Sequence, residues 1–215
     1  MRNIFIIISI ISLFSCSLQV SDYRPDIPVV DEPFDQVDEL FTGDESGCYT
    51  FETNNTEYNK KNGYTLWTSP FVNSDTDFEN IDIDVQKLSG NDKASGYGIV
   101  FSRSKNKNDI MYVCLINESR QYLMGKVENG VFQTVSEKWH SSKYLYTGNN
   151  LINNIKVVSN YEKNNLQIKF NGGIEYEMDK ILDNYENTSW GFVVVVSERE
   201  KFPEKSLKVK FKINK

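Results

Sequence analysis

The chain has 215 residues, 39% of them hydrophobic, with 24 Lys and Arg against 30 Asp and Glu and a formal net charge of -6. That apolar fraction excludes wholesale disorder, and the length suits one domain of roughly 100–200 residues, with or without a tail. The acidic balance argues against a nucleic-acid binder, and one His with three Cys leaves little material for a zinc site. Arg2 gives a short positive start, and Ile4 to Phe14 form an apolar run interrupted only by Ser9 and Ser12. That run falls short of the about 20 residues needed to span a bilayer and matches the apolar core of a secretory signal.

The run ends at Leu13-Phe14-Ser15-Cys16. This resembles a bacterial lipobox, in which a small residue precedes a Cys that is diacylated and becomes the new N-terminus. The resemblance implies a leader over residues 1–15, lipidation at Cys16, the lipid bilayer as a partner and a place in the bacterial cell envelope. It does not say which membrane face the protein occupies. Phe14 is bulkier than the strict motif uses, and an ordinary signal cleaved near Ser15 or Ser17 is the alternative. Each buried methylene of an acyl chain contributes roughly 0.8 kcal/mol, so two or three chains anchor stably.

From Ser17 to Ser46 nine acidic residues stand against Arg24 alone, and Pro25, Pro28 and Pro33 are three of the five prolines. Like charges repel and proline favours extended backbone, so residues 16–46 read as a lipidated Cys with an extended acidic tether. Within it, Phe34 to Phe41 offers a turn of helix, with Phe34, Val37, Leu40 and Phe41 on one face. The pattern changes at Gly47, and residues 47–215 read as the folded domain.

Period-two runs predict strands over Cys48–Thr53, Tyr64–Val72, Ile81–Leu88, Gly96–Arg103, Ile110–Ile116, Gln121–Val127 and Val131–Val135. More follow over Ile155–Val158, Leu166–Phe170, Ile174–Met178, Trp190–Ser197 and Leu207–Ile213. The intervening segments, such as Glu128-Asn129-Gly130 and Asn171-Gly172-Gly173, carry the Asn and Gly that tight hairpins require. Only Asp179–Asn187 suggests a short helix. So many strands predict an all-β, two-sheet antiparallel jelly-roll sandwich, larger than the roughly 100 residues of an immunoglobulin domain. In the last strand Leu207, Val209, Phe211 and Ile213 face the core, with Lys208, Lys210 and Lys212 outside; Ile81-Asp82-Ile83-Asp84-Val85 alternates likewise. Met111–Ile116 and Phe192–Val196 are apolar on both faces and are expected in mid-sheet.

The stretch Gly96–Phe101, then Tyr112–Asn117, Tyr122–Gly130, Trp139, Asn154–Val158 and Leu166–Gly172, resembles the concanavalin A-like (laminin G-like) jelly-roll modules of bacterial envelope and secreted proteins. The branch it is most similar to is the keto-disaccharide hydrolase-like or unknown-function one. The resemblance covers about Gly63 to Ile213 and implies the fold. It leaves lectins, glucanases, carbohydrate-binding modules and adhesion domains all open as functions.

Glycoside hydrolysis needs two carboxylates on one face, and related glucanases carry Glu-x-Asp-x-Glu on one strand. This chain lacks that motif; its nearest match, Glu175-Tyr176-Glu177-Met178-Asp179, reads as a solvated strand face. His140, the single histidine, follows Trp139 in a loop-like stretch without a nucleophile-elbow sequence. Cys48 and Cys114 form either a disulfide or two free thiols, Cys114 sitting in an apolar strand. Asp75-Thr76-Asp77 and Asn91-Asp92 supply oxygens but equally form turns, so no metal and no cofactor is expected. The aromatics are the most suggestive feature: 12 Tyr, 13 Phe and 3 Trp. Sugars present apolar C–H faces, which pair with flat rings and a few polar groups. The ligand-binding candidates are therefore Tyr97, Tyr112, Tyr122 and Trp139, with Tyr144 and Tyr146 nearby and Arg103, Arg120 and Lys126 as donors. The same rings also fit core and cross-strand positions. The function these readings predict is non-catalytic, with glycan the leading ligand. A sugar-processing hydrolase and a surface structural or protein-adhesion module are the alternatives.

Overall fold

The computed structural model describes residues 34–44, 46–59, 64–68, 80–102, 111–128, 131–136, 139–148, 150–160, 165–179 and 189–214. The leader, Cys16, Arg103 and all but the first residue of the expected helix Asp179–Asn187 lie outside them. The strands are β1 (Phe34–Gln36), β2 (Phe41–Gly43), β3 (Cys48–Thr53), β4 (Tyr64–Trp67), β5 (Asn80–Ser89), β6 (Gly96–Ser102), β7 (Met111–Ile116) and β8 (Gln121–Glu128). They continue with β9 (Val131–Thr134), β10 (His140–Ser141), β11 (Ile152–Asn160), β12 (Asn165–Phe170), β13 (Gly173–Asp179), β14 (Ser189–Val196) and β15 (Leu207–Ile213).

They form two sheets. The front sheet runs β1-β4-β14-β6-β7-β8-β10, with β9 also on β8, and the back sheet runs β13-β12-β11-β5-β15-β3-β2. Every pairing is antiparallel except that of β1 with β4. The fold is thus the all-β jelly-roll sandwich the alternation predicts. Strands β3 and β15 have the predicted bounds, and β5, β7 and β14 differ by one or two residues at their ends.

The first described strand starts at Phe34, thirteen residues before the domain start expected from the sequence. Residues 34–43 supply an edge strand to each sheet, joined by a 3-10 turn over Asp38–Leu40. The turn carries Val37 and Phe41 into the core, and Phe41 packs against Phe51 at 5.0 Å between ring centroids. Burial of these two side chains outweighs the extended tendency of the acidic stretch around them.

The main core lies between the sheets. Phe51, Ile83, Ile99, Ile155, Phe170, Phe192, Val209 and Phe211 are fully buried there, with Phe192 stacked on Phe211 at 4.4 Å. The front sheet is also apolar on its outer face. Val100, Val113, Leu115, Leu123, Val127, Val193 and Val195 form a second buried cluster there together with Trp139. The outer face of the back sheet is polar: Asp82, Asp84, Lys156, Lys208, Lys210 and Lys212 alternate with buried apolar residues.

Candidate functional site

The sequence candidates divide between the two faces of the front sheet. Tyr97 on β6, Tyr112 on β7 and Tyr122 on β8 all belong to the core between the sheets. Burial and the Glu118 carboxylate push the Tyr97 hydroxyl well above its usual range. Tyr112 stacks on Phe101 at 5.7 Å, and Lys126, half-buried, lies opposite Tyr112 on β8. Tyr122 lies between His140 at 5.5 Å and Phe170 at 5.4 Å. Burial, helped by Glu175, Tyr176 and Cys114, raises its pKa. Trp139 belongs to the outer face instead. Its ring crosses toward β6, where a Cβ on Gly96 would stand 3.0 Å from it, and its Nε1–H is buried with no hydrogen-bond partner among the described residues.

His140 sits on β10, stacked on Tyr122, and its Nε2 is 2.7 Å from the Ser136 carbonyl, which it meets as a donor. The thiols of Cys48 and Cys114 are both free, and burial raises the pKa of Cys114. Glu175 Oε2 accepts from Ser142 Oγ at 2.8 Å, and Glu177 Oε1 accepts from Gln167 Nε2 at 2.7 Å. Among the described residues no group of three or more His, Cys, Asp or Glu is placed to hold a metal ion.

Two features stand out, one outside the sequence candidates and one that brings Arg120, Tyr144 and Tyr146 from among them together. The first is a buried ionic cluster at the end of the sandwich where β5, β7 and β14 finish. Lys87 Nζ donates to Glu118 Oε2 at 2.9 Å and lies 3.7 Å from Glu200 Oε1. It also donates to the Asp92 carbonyl. Glu200 is held in turn by Ser95 Oγ at 2.6 Å and the Asn91 N–H at 2.6 Å. All three charged side chains are nearly or wholly buried, at 2%, 5% and 0% exposure for Lys87, Glu118 and Glu200. The signal was present in β5. Alternation places Lys87 on the same face as Ile81, Ile83 and Val85, the face that enters the core.

The second feature is the crossover Ser142–Leu151, which carries the chain from β10 in the front sheet to β11 in the back. Four successive carbonyls of this loop accept from side chains of other elements. Arg120 Nη2 donates to Lys143 O at 3.0 Å and Arg120 Nε to Leu145 O at 2.9 Å. Asn171 Nδ2 donates to Tyr144 O at 2.6 Å, and Asn153 Nδ2 to Tyr146 O at 3.3 Å. Asn153 Oδ1 also accepts from the Tyr146 N–H at 2.8 Å. Leu145 is buried in the core, the Tyr144 ring packs over Gly173, and Tyr146 is 55% exposed. A Cβ on Gly173 would come within 2.3 Å of the Tyr144 ring, so any larger residue there must displace that ring. Lys143 Nζ lies 4.9 Å above the centre of that ring.

No family model matches the sequence, and no curated protein matches it. Solved structures match the fold. A Bacteroides ovatus mixed-linkage-glucan GH16 protein, solved with its product, is 9% identical, covers 89% of this chain and 99% of its own, and superposes with a TM-score of 0.52. The carbohydrate-binding module CBM66 of Bacillus subtilis is 13% identical over 86% of this chain and 92% of its own, with a TM-score of 0.43. A human galectin-16 variant is 17% identical over 67% and 89%, with a TM-score of 0.36. The chain therefore has a two-sheet jelly-roll sandwich fold, which it shares with the Bacteroides ovatus protein. At these identities the likeness extends to the fold alone.

Proposed function

We propose that this protein is a lipid-anchored component of the bacterial cell envelope whose jelly roll binds glycan without cleaving it. The lipobox-like Leu13-Phe14-Ser15-Cys16 supports the anchor, with lipidation at Cys16. The fold shared with carbohydrate-active proteins supports glycan as the ligand class.

The observation that carries binding over hydrolysis is the position of Lys87. A glycosidase needs two carboxylates facing an accessible sugar, one of them available as an acid. Glu118 and Glu200, which the fold brings to a common cation, are buried and engaged by Lys87, Ser95 and the Asn91 N–H. At 5% and 0% exposure, neither carboxylate is accessible to a sugar. Glu175 and Glu177 are each tied to a neighbouring side chain. The test is a glycan array probed with the full chain in detergent, with release of reducing ends measured on every glycan bound. Binding without release is the expected result. Loss of palmitate incorporation in Cys16→Ala is expected alongside it, and incorporation that survives the substitution removes the anchor from the proposal.

A further inference from the structure

Tyr146 combines two properties that seldom occur together in a residue with only a structural role. The residue is 55% exposed and is not part of the core. Its backbone is held on both sides by Asn153, a side chain only 2% exposed, and the three carbonyls before it accept from Arg120 and Asn171. Arg120 and Asn171 both adopt the left-handed conformation, with φ of 59° and 48°. Such a conformation costs a non-glycine residue free energy, so the clamp is maintained against a local penalty. No described residue hydrogen-bonds the Tyr146 hydroxyl.

We infer that Tyr146 is a saccharide-stacking platform, held in place by Arg120, Asn153 and Asn171, that receives the apolar C–H face of one pyranose ring. The inference rests on the glycan-binding reading above and locates its site. Preorganisation matters because a backbone fixed before binding leaves only the Tyr146 side-chain torsions to be ordered on contact. A single exposed aromatic on a fixed backbone matches the footprint of one sugar ring, whereas a stable protein partner needs about 800 Å² on each side. A single stacked ring gives modest affinity, and many copies in one membrane raise it through multivalency.

The test compares wild type, Tyr146→Ala and Tyr146→Phe as full chains on one glycan array, with thermal unfolding measured in parallel. The expected result is glycan binding by wild type and by Tyr146→Phe, which keeps the ring. Tyr146→Ala should lose about tenfold or more in affinity at an unchanged melting temperature. Equal binding by wild type and Tyr146→Ala overturns the platform and leaves the glycan-binding reading standing. Absence of binding to any glycan by wild type overturns both. Self-association that is lost in Tyr146→Ala, without glycan binding, assigns the ring to a second copy of the protein and likewise overturns the inference.

Discussion

The two sheets of this sandwich are built from opposite rules. The back sheet is one-sided: Leu207, Val209 and Phe211 face the core, while Lys208, Lys210 and Lys212 face outward beside Asp82, Asp84 and Lys156. The front sheet buries both faces, with Ile99, Cys114, Met124 and Val194 inside and Val100, Val113, Leu115 and Val193 outside. An antiparallel sheet ordinarily faces water on one side, as the back sheet does. The difference teaches that tolerance to substitution is set by the sheet and the face, and that polarity alone does not mark the surface. Lys87 shows the second point, since it lies on the core side of an otherwise apolar strand face.

The largest expected effect tests the front sheet at its tightest point. A Cβ on Gly98 would stand 2.0 Å from the Cys114 carbonyl oxygen, so β6 and β7 cannot pair in that register with any larger residue. Gly98→Ala should cost more than about 4 kcal/mol, read by urea unfolding. Next comes the ionic cluster. Lys87→Met leaves Glu118 and Glu200 buried without their cation and should cost about 3 kcal/mol. Adding Glu118→Gln and Glu200→Gln should recover part of it, and no recovery would mean that shape rather than charge holds the cluster.

The comparison itself is sharpened by one matched pair. Leu115→Ala, on the outer face of the front sheet, should cost at least about 2 kcal/mol. Lys210→Ala, on the outer face of the back sheet, should change stability by less than about 0.5 kcal/mol. Equal costs would erase the distinction between the sheets.

The smallest effect is in acid. Asp82 is partly desolvated, which works against its ionisation, but hydrogen bonds from Asn214, Asn154 and Lys156 prevail and lower its pKa. A lowered carboxylate pKa contributes stability that is fully present above the unfolded value of about 3.9 and is lost as pH falls through the folded value. Asp82→Asn should therefore reduce the fall in melting temperature below about pH 4 and leave the neutral range nearly flat.

Much of this architecture was legible in the sequence because antiparallel strands with one wet face alternate visibly. That is why Leu207–Ile213 and Cys48–Thr53 match the structure residue for residue. Strands β1 and β2 were not legible, since three-residue edge strands are too short to show a period and lie among acids. Their place is set by long-range burial of Val37 and Phe41. The candidate rings illustrate a second limit. Alternation places Tyr97, Tyr112 and Tyr122 on one face, but it cannot say which face looks inward in a sheet that is apolar on both. Tyr146 and Arg120 were legible as an aromatic and a donor, but not their meeting at one loop. Its clamp depends on nearby Asn153 and on Arg120 and Asn171, which are distant in sequence and meet the loop only in the fold.

The most direct test of the account is the array measurement on the full chain, with reducing ends assayed on whatever binds. The account predicts retention on at least one glycan class with no release of reducing sugar. Hydrolysis of the bound glycan, or no retention on any glycan, would contradict it.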